Sequence, residues 1–348
     1  MIAHHAHYSL LQSVSFVPLL IFLLFLLMRK ITLLRILFLA GVLALQISAG
    51  HLEVLYFSLV VMFFLAFFSG LLSFQQKGIS AFLPLLCLSF SVVFSCCLAA
   101  FQILPGLEMV PFSNRSTGYS LQIASDFRFP VRNLLFFLFP KKADFYAPVN
   151  YIEGWGMDNH WETYAYFGLL PLILSLLGLL EICRRKKYRK LSFTVLFLLF
   201  FSLLLAFGKS TPLFEFVWRV VPFAKVFRYP TRVLVFVNLS LAILAGVGSD
   251  LLSEKLSKLI GSFLLLRGKK IKTFVLISFV LVSFFDLYYN NHYPLQTASG
   301  QWWLEKPSLV ADLEKVNSSG QRICTFGTSS YNNRLSTNLG VQKILQNL

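Results

Sequence analysis

Eight apolar blocks, each close to the thickness of a bilayer's hydrocarbon core, govern what this chain can fold into. They run Leu10–Met28, Ile31–Ala49, Val54–Leu72, Ile79–Leu104, Tyr164–Cys183, Leu191–Phe207, Val233–Leu252 and Thr273–Tyr289. A helix needs about 17–25 residues to cross hydrocarbon, and an unbroken apolar run lacks the in-out alternation of a membrane barrel strand. The expected fold is therefore an all-α polytopic membrane protein with about eight transmembrane helices. Only 13% of the residues are charged, roughly half the share of a soluble domain.

The charge that remains is strongly basic, +16 overall. On a soluble module that balance would point to nucleic acid, but no basic stripe alternates with aromatics here. The cations bracket the apolar blocks instead, where topology and anionic lipid account for them. Sixteen of the 31 Lys and Arg residues fall in four short connections, at residues 29–35, 77, 184–190 and 255–272. Positive charge is retained on the cytoplasmic side, so these turns are expected inside and both termini outside. The stretch before Gln12 carries no Lys or Arg, and a cleavable signal with a basic start is not expected.

Two outer segments are too long to be simple turns. The expected transmembrane domain, 1–289, carries outer loops at 105–163 and 208–232, and 290–348 reads as the start of an extracytoplasmic soluble domain. Within the first loop, Asn133–Phe139 is apolar but too short to span, and is expected in the interface or packed on the bundle. Within the second, Leu213–Val221 is amphipathic and bracketed by Pro212 and Pro222. Of the five cysteines, Cys87, Cys96 and Cys97 lie in one block and Cys183 ends another. No C-x-x-C spacing supports a zinc site or a disulfide framework, so buried single thiols are expected.

Ionisable and aromatic residues at the block ends are the candidates for chemistry, because charge near lipid is costly unless paired or hydrated. His51 and Glu53 sit where the second block gives way to the third, either as a working site or as a helix-end polar cluster. Glu108 follows Leu104-Pro105, with Arg115 behind it. That pair reads as a pocket mouth or, more plainly, as a surface salt bridge. Trp155, Trp161, Glu162 and Tyr164 gather before the fifth block. They suit an interfacial aromatic belt or a sugar site, with rings stacking on sugar faces and carboxylates taking hydroxyls. Arg228 and Arg232, in Phe227-Arg228-Tyr229-Pro230-Thr231-Arg232, suit a lipid phosphate or simple headgroup anchoring. Asp286 near the end of the last block is expected to be paired or interfacial. No nucleophilic triad, Walker loop or dinucleotide fingerprint occurs.

In these motifs the chain resembles the bacterial YfhO-type membrane proteins of the C-type glycosyltransferase superfamily. The matching features are Ala49-Gly50-His51, Leu104-Pro105 before Glu108, the Ser113 and Arg115 segment, and Trp161-Glu162-Thr163-Tyr164 with Tyr166-Phe167-Gly168. Phe227 to Arg232 and Ala245-Gly246-Val247-Gly248, which closes the seventh block, complete the set. The resemblance implies transfer of a sugar from a polyprenyl-phosphate donor to a cell-envelope polymer or protein acceptor on the outer face. Glu108 and Glu162 would then be catalytic, and His51, Glu53, Arg115, Trp155, Trp161, Tyr164, Arg228 and Arg232 substrate-binding. The family places an acidic base or metal ligand in its first outer loop, which makes a divalent cation admissible. This chain has no acid before Glu53, so it is expected to begin after that loop and to end inside the family's outer domain. The alternatives are a translocator of lipid-linked substrates and a non-catalytic membrane remnant.

Overall fold

The computed structural model describes residues 8–113, 116–125, 128–138, 165–185, 188–264 and 268–291, with backbone alone for 260–264, 268–270 and 291. The chain divides into two units, Met1–His292 and Tyr293–Leu348, and every described residue belongs to the first.

Twelve α-helices and no strand occur among the described residues. They are α1 Tyr8–Ser15, α2 Val17–Arg29, α3 Leu33–Ser48, α4 Leu52–Lys77, α5 Leu83–Leu98 and α6 Ala100–Met109. Then come α7 Leu121–Ala124, α8 Leu169–Arg184, α9 Arg189–Ala206, α10 Pro212–Val220, α11 Leu234–Leu264 and α12 Gly268–Asn291. Five helical stretches are long and apolar enough to cross a membrane: Tyr8–Arg29, Leu52–Leu98, Arg189–Ala206, Pro230–Leu259 and Ile271–Asn290. The molecule is an α-helical membrane protein.

All eight apolar blocks lie on helices, but local chemistry moves their ends. Thr32 caps α3 by accepting the Arg35 N–H. Gly50, at φ 80°, turns the chain directly into α4, so α3 keeps only 16 residues. At about 1.5 Å per residue that is near 24 Å, short of a ~30 Å core. Gly168, at φ 95°, likewise delays α8 to Leu169. Residues 52–98 form one 47-residue stretch, bent by the 3-10 turn Gly78–Phe82 so that α5 returns against α3 and α4.

Two helix ends depart from expectation. Pro105 does not terminate its helix: α6 runs through it to Met109, and the break falls earlier, at Ala99 (φ −100°, ψ 20°). Ending one helix at Ala99 lets Pro105 enter a fresh, exposed one. Nor do Gly246 and Gly248 close α11, which continues to Leu264. Gly248 is a packing residue instead. A methyl group built on it would overlap the Leu174 carbonyl oxygen, and one on Gly178 would overlap that of Leu244. Small residues allow such backbone approach between membrane helices, where packing substitutes for the missing hydrophobic drive.

The largest core cluster joins Leu20, Leu24 and Leu27 of α2, Leu39 and Leu43 of α3, Val61 and Leu65 of α4, and Leu198 of α9. Outside it the surface is itself apolar: Phe22, Leu86, Leu176, Phe200, Ile277 and Phe285 are all exposed. So extensive an apolar exterior fits hydrocarbon and not water. The same exterior corrects the expected burial of the thiols, since Cys96, Cys97 and Cys183 are exposed and Cys87 only half-buried. Apolar sequence around a cysteine marks a lipid-facing surface as readily as a core.

Polar side chains inside the bundle are tied across helices. Gln46 donates to the Ser13 carbonyl at 3.0 Å and to Ser58 Oγ at 3.2 Å, linking α3 to α1 and α4. Asp286 is paired as expected. It accepts from Tyr166 OH at 2.7 Å and from the Leu169 N–H at 2.9 Å, so a carboxylate on α12 caps the N-terminus of α8, where the helix dipole favours negative charge.

Candidate functional site

The site is built where α4 begins. His51 precedes its first residue and Glu53 lies in its first turn. Tyr56 and Phe57 follow Glu53 at i+3 and i+4, so the three share one helix face. That face meets the segment running from α10 to α11, which crosses it as two 3-10 turns, Ala224–Val226 and Pro230–Val233.

Arg232 is the junction. Its Nη1 donates to Glu53 Oε2 and lies 2.9 Å from His51 Nε2, joining residues 181 apart in sequence. Glu53 is 3% exposed and the Arg232 side chain 15%. A neutral imidazole offers one lone-pair nitrogen, and a guanidinium only donates. The Arg232 contact therefore fixes the acceptor at Nε2. It leaves the proton on Nδ1, against which the 3.4 Å approach of the Val54 N–H is the weaker contact. A charge pair this enclosed is costly to break, because removing one partner strands the other.

Arg228 turns elsewhere. Its guanidinium lies 4.8 Å from the Tyr229 ring centroid and 5.5 Å from that of Tyr119. The same Tyr229 ring has Arg232 at 4.4 Å. One aromatic side chain thus serves two cations, each attracted by the ring quadrupole. Tyr229 reaches this position in a left-handed backbone conformation, φ 62°, and Phe223 at the other end of the segment has φ 63°. Two bulky residues in that region store roughly 1–3 kcal/mol each. The segment before α7 braces the arrangement: the Tyr119 N–H donates to the Lys225 carbonyl at 2.7 Å.

Beside Arg228 is a cleft lined by Tyr56, Phe57, Phe214, Val217, Trp218, Ala224 and Phe227, enclosing about 260 Å³ of space continuous with solvent. It is narrow, with room for about one water-sized body. Tyr56 stacks on Phe227 at 4.6 Å between ring centroids. The Tyr56 hydroxyl and the Trp218 indole N–H are enclosed and have no hydrogen-bond partner among the described residues. The amphipathic stretch expected at Leu213–Val221 is α10. It supplies Phe214, Val217 and Trp218 to this wall, while Phe216 and Val220 face outward.

Of the sequence candidates, then, His51, Glu53 and Arg232 come together and Arg228 lies alongside. Glu108 is exposed on α6, which packs chiefly on α5. Arg115, Trp155, Trp161, Glu162 and Tyr164 lie outside the described residues. The expected apolar stretch after Pro130 does pack on the bundle: Phe137 and the fully buried Phe129 meet Phe207. No three His, Cys, Asp or Glu side chains cluster as a metal site among the described residues, and no step is derived through a cation.

Sequence reasoning missed Tyr56, Trp218, Tyr229 and Tyr119. Tyr56 carried a local signal in its i+3 spacing from Glu53, Tyr229 lay inside the Phe227–Arg232 motif and Trp218 inside the amphipathic Leu213–Val221 stretch, whereas Tyr119 carried none. No protein family, no curated protein and no solved structure matches the chain.

Proposed function

We propose that this protein is a membrane glycosyltransferase that moves a sugar from a polyprenyl-phosphate donor to a cell-envelope acceptor at the non-cytoplasmic surface. The observation that carries the reading is the buried His51–Glu53–Arg232 junction beside the aromatic, arginine-bearing cleft. A lipid-linked sugar keeps its tail in hydrocarbon and its phosphate at the boundary, so it needs cationic and aromatic groups at helix ends. This site supplies both. In the same proposal the chain crosses the bilayer eight times with both termini outside, which sets the site on the outer face and the 184–190 turn in the cytosol.

The junction divides the labour between the two arginines. Arg232 is engaged by Glu53, and its role is to hold the start of α11 to α4. Arg228 faces the cleft, and its role is to stabilise the phosphate that departs as an anion. Glu108 or Glu162 deprotonates the acceptor hydroxyl as general base. A translocator coupled to ions would place ionisable groups near the bilayer midplane, and the middles of α2, α9 and α12 carry none.

Membranes containing the full-length protein, incubated with labelled polyprenyl-phosphate sugars, are expected to transfer label to an envelope polymer or protein. Absence of transfer across a broad donor panel would falsify the enzymatic reading. Cysteine labelling tests the topology: residue 155 and residue 185 are expected in opposite compartments.

A further inference from the structure

We infer that the cleft between α4, α10 and residues 224–228 is an oxyanion site, in which Trp218 and Tyr56 donate hydrogen bonds to a phosphate-type group alongside Arg228. The inference rests on the preceding reading and deepens it by naming donors that neither motif nor resemblance singled out. Its argument starts from the two orphaned groups. An indole N–H can only donate, and a phenol readily does. Both are enclosed beside a guanidinium, in a wall otherwise made of Phe57, Phe214, Val217, Ala224 and Phe227. Leaving two polar groups unsatisfied in one apolar cleft is unfavourable unless something meets them. A site whose polar atoms are donors beside a fixed cation selects an anion with several acceptor oxygens.

Tyr229 is the positioning residue of this site. Its ring holds the guanidinium of Arg228 at 4.8 Å and that of Arg232 at 4.4 Å, so one side chain positions the arginine beside the cleft and the arginine that serves Glu53. The closed cleft is too small for a phosphate, which enters by displacement of residues 224–228. That segment is bounded by the left-handed Phe223 and Tyr229, two points where backbone strain is relieved by movement.

The test is equilibrium binding of radiolabelled dodecyl phosphate to the full-length protein in neutral-detergent micelles, with inorganic phosphate as competitor. Saturable binding is expected. Trp218→Phe and Tyr56→Phe, which keep an aromatic ring at each position without its donor, should each weaken it about tenfold, as loss of one hydrogen bond to a charged group does. Arg228→Gln should weaken it further. Tyr229→Phe should bind as the parent does, whereas Tyr229→Gly, which keeps the backbone conformation but lacks the ring, should lose at least tenfold. Competition by millimolar inorganic phosphate assigns the site to free phosphate, and its absence assigns it to a lipid-borne headgroup. Either supports the oxyanion site.

Unchanged affinity in both Trp218→Phe and Tyr56→Phe overturns it, as does the absence of saturable binding. Thermal unfolding in detergent guards against misfolding: Tyr56→Phe removes only an enclosed atom that has no partner among the described residues and should be at least as stable as the parent, whereas Trp218→Phe also gives up indole volume and the Lys225 cation–π contact and should be slightly less stable but folded. Binding is read here without any sugar. Intact binding with no transfer defeats only the proposed activity, and transfer that survives both Phe variants unaltered, with unchanged dodecyl phosphate affinity, defeats only this site.

Discussion

The crossing of α8 and α11 and the meeting of α4 with residues 223–233 are both close helix contacts, yet they are built on opposite principles. At the crossing, Gly178 and Gly248 let backbone meet backbone, and Ser175 returns its hydroxyl to the Leu172 carbonyl at 2.7 Å. Nothing there waits for a partner. At the α4 junction an acid, two arginines and a histidine are packed among aromatic rings, while Tyr56 OH, Trp218 N–H and Thr231 Oγ1 are enclosed with no hydrogen-bond partner among the described residues. One contact is arranged for stability alone. The other tolerates unsatisfied atoms and backbone strain, which is what a surface kept for a ligand must tolerate.

The sharpest way to break the comparison is at the crossing. Gly178→Leu or Gly248→Leu should drive a side chain into the facing carbonyl and abolish assembly of α8 on α11. The expected loss exceeds about 4 kcal/mol, the range of exceptional core damage. Folded yield after detergent extraction measures it, and a near-parental yield would show that the helices are not in backbone contact.

Next in size is the charge junction. Glu53→Gln or Arg232→Met alone should destabilise by about 3–5 kcal/mol, because each breaks a buried ion pair. The double change Glu53→Leu with Arg232→Met should recover most of that, since an apolar pair of similar volume removes both charges. Thermal unfolding of the single and double variants reads this directly, and strict additivity would contradict the pairing.

A smaller effect is expected at Gln46→Leu, which removes the ties from α3 to Ser13 and Ser58. Hydrogen bonds between membrane helices contribute about 0.6 kcal/mol on average, up to about 1.7, so a modest fall in unfolding midpoint should follow. The smallest change sharpens the contrast: Tyr56→Phe should leave stability unaltered or slightly raised, since a removed orphan carries no bond with it. A loss above about 1 kcal/mol would mean that the hydroxyl is already satisfied in the protein at rest.

Much of this architecture was written in the order of apolar residues. The blocks became helices because hydrocarbon leaves the backbone no other partners. The ends were less legible, since they depend on single residues acting locally. Thr32 and Gly168 shortened α3 and α8, and Pro105 was absorbed by a break six residues earlier. Gly246 and Gly248 looked like a stop because glycine usually ends helices, whereas Gly248 serves a neighbour 70 positions away. Of the site, the types and helix-end placement of His51, Glu53, Arg228 and Arg232 were visible. Their pairing was not, because no local pattern tells one outer arginine from the next. The orphaned atoms were invisible for a related reason, as a missing partner exists only in three dimensions.

The tether between Glu53 and Arg232 has a consequence for biogenesis. The two residues are 179 positions apart, and a ribosome adding about 5–20 residues per second needs roughly 9–36 s to make the second after the first. Through that interval α4 stands in the membrane with an acid at its rim and no cation from α11 to meet it, so the acid must stay hydrated at headgroup level. The contact that ties the start of α11 to α4 therefore forms only after most of the described helices have been made.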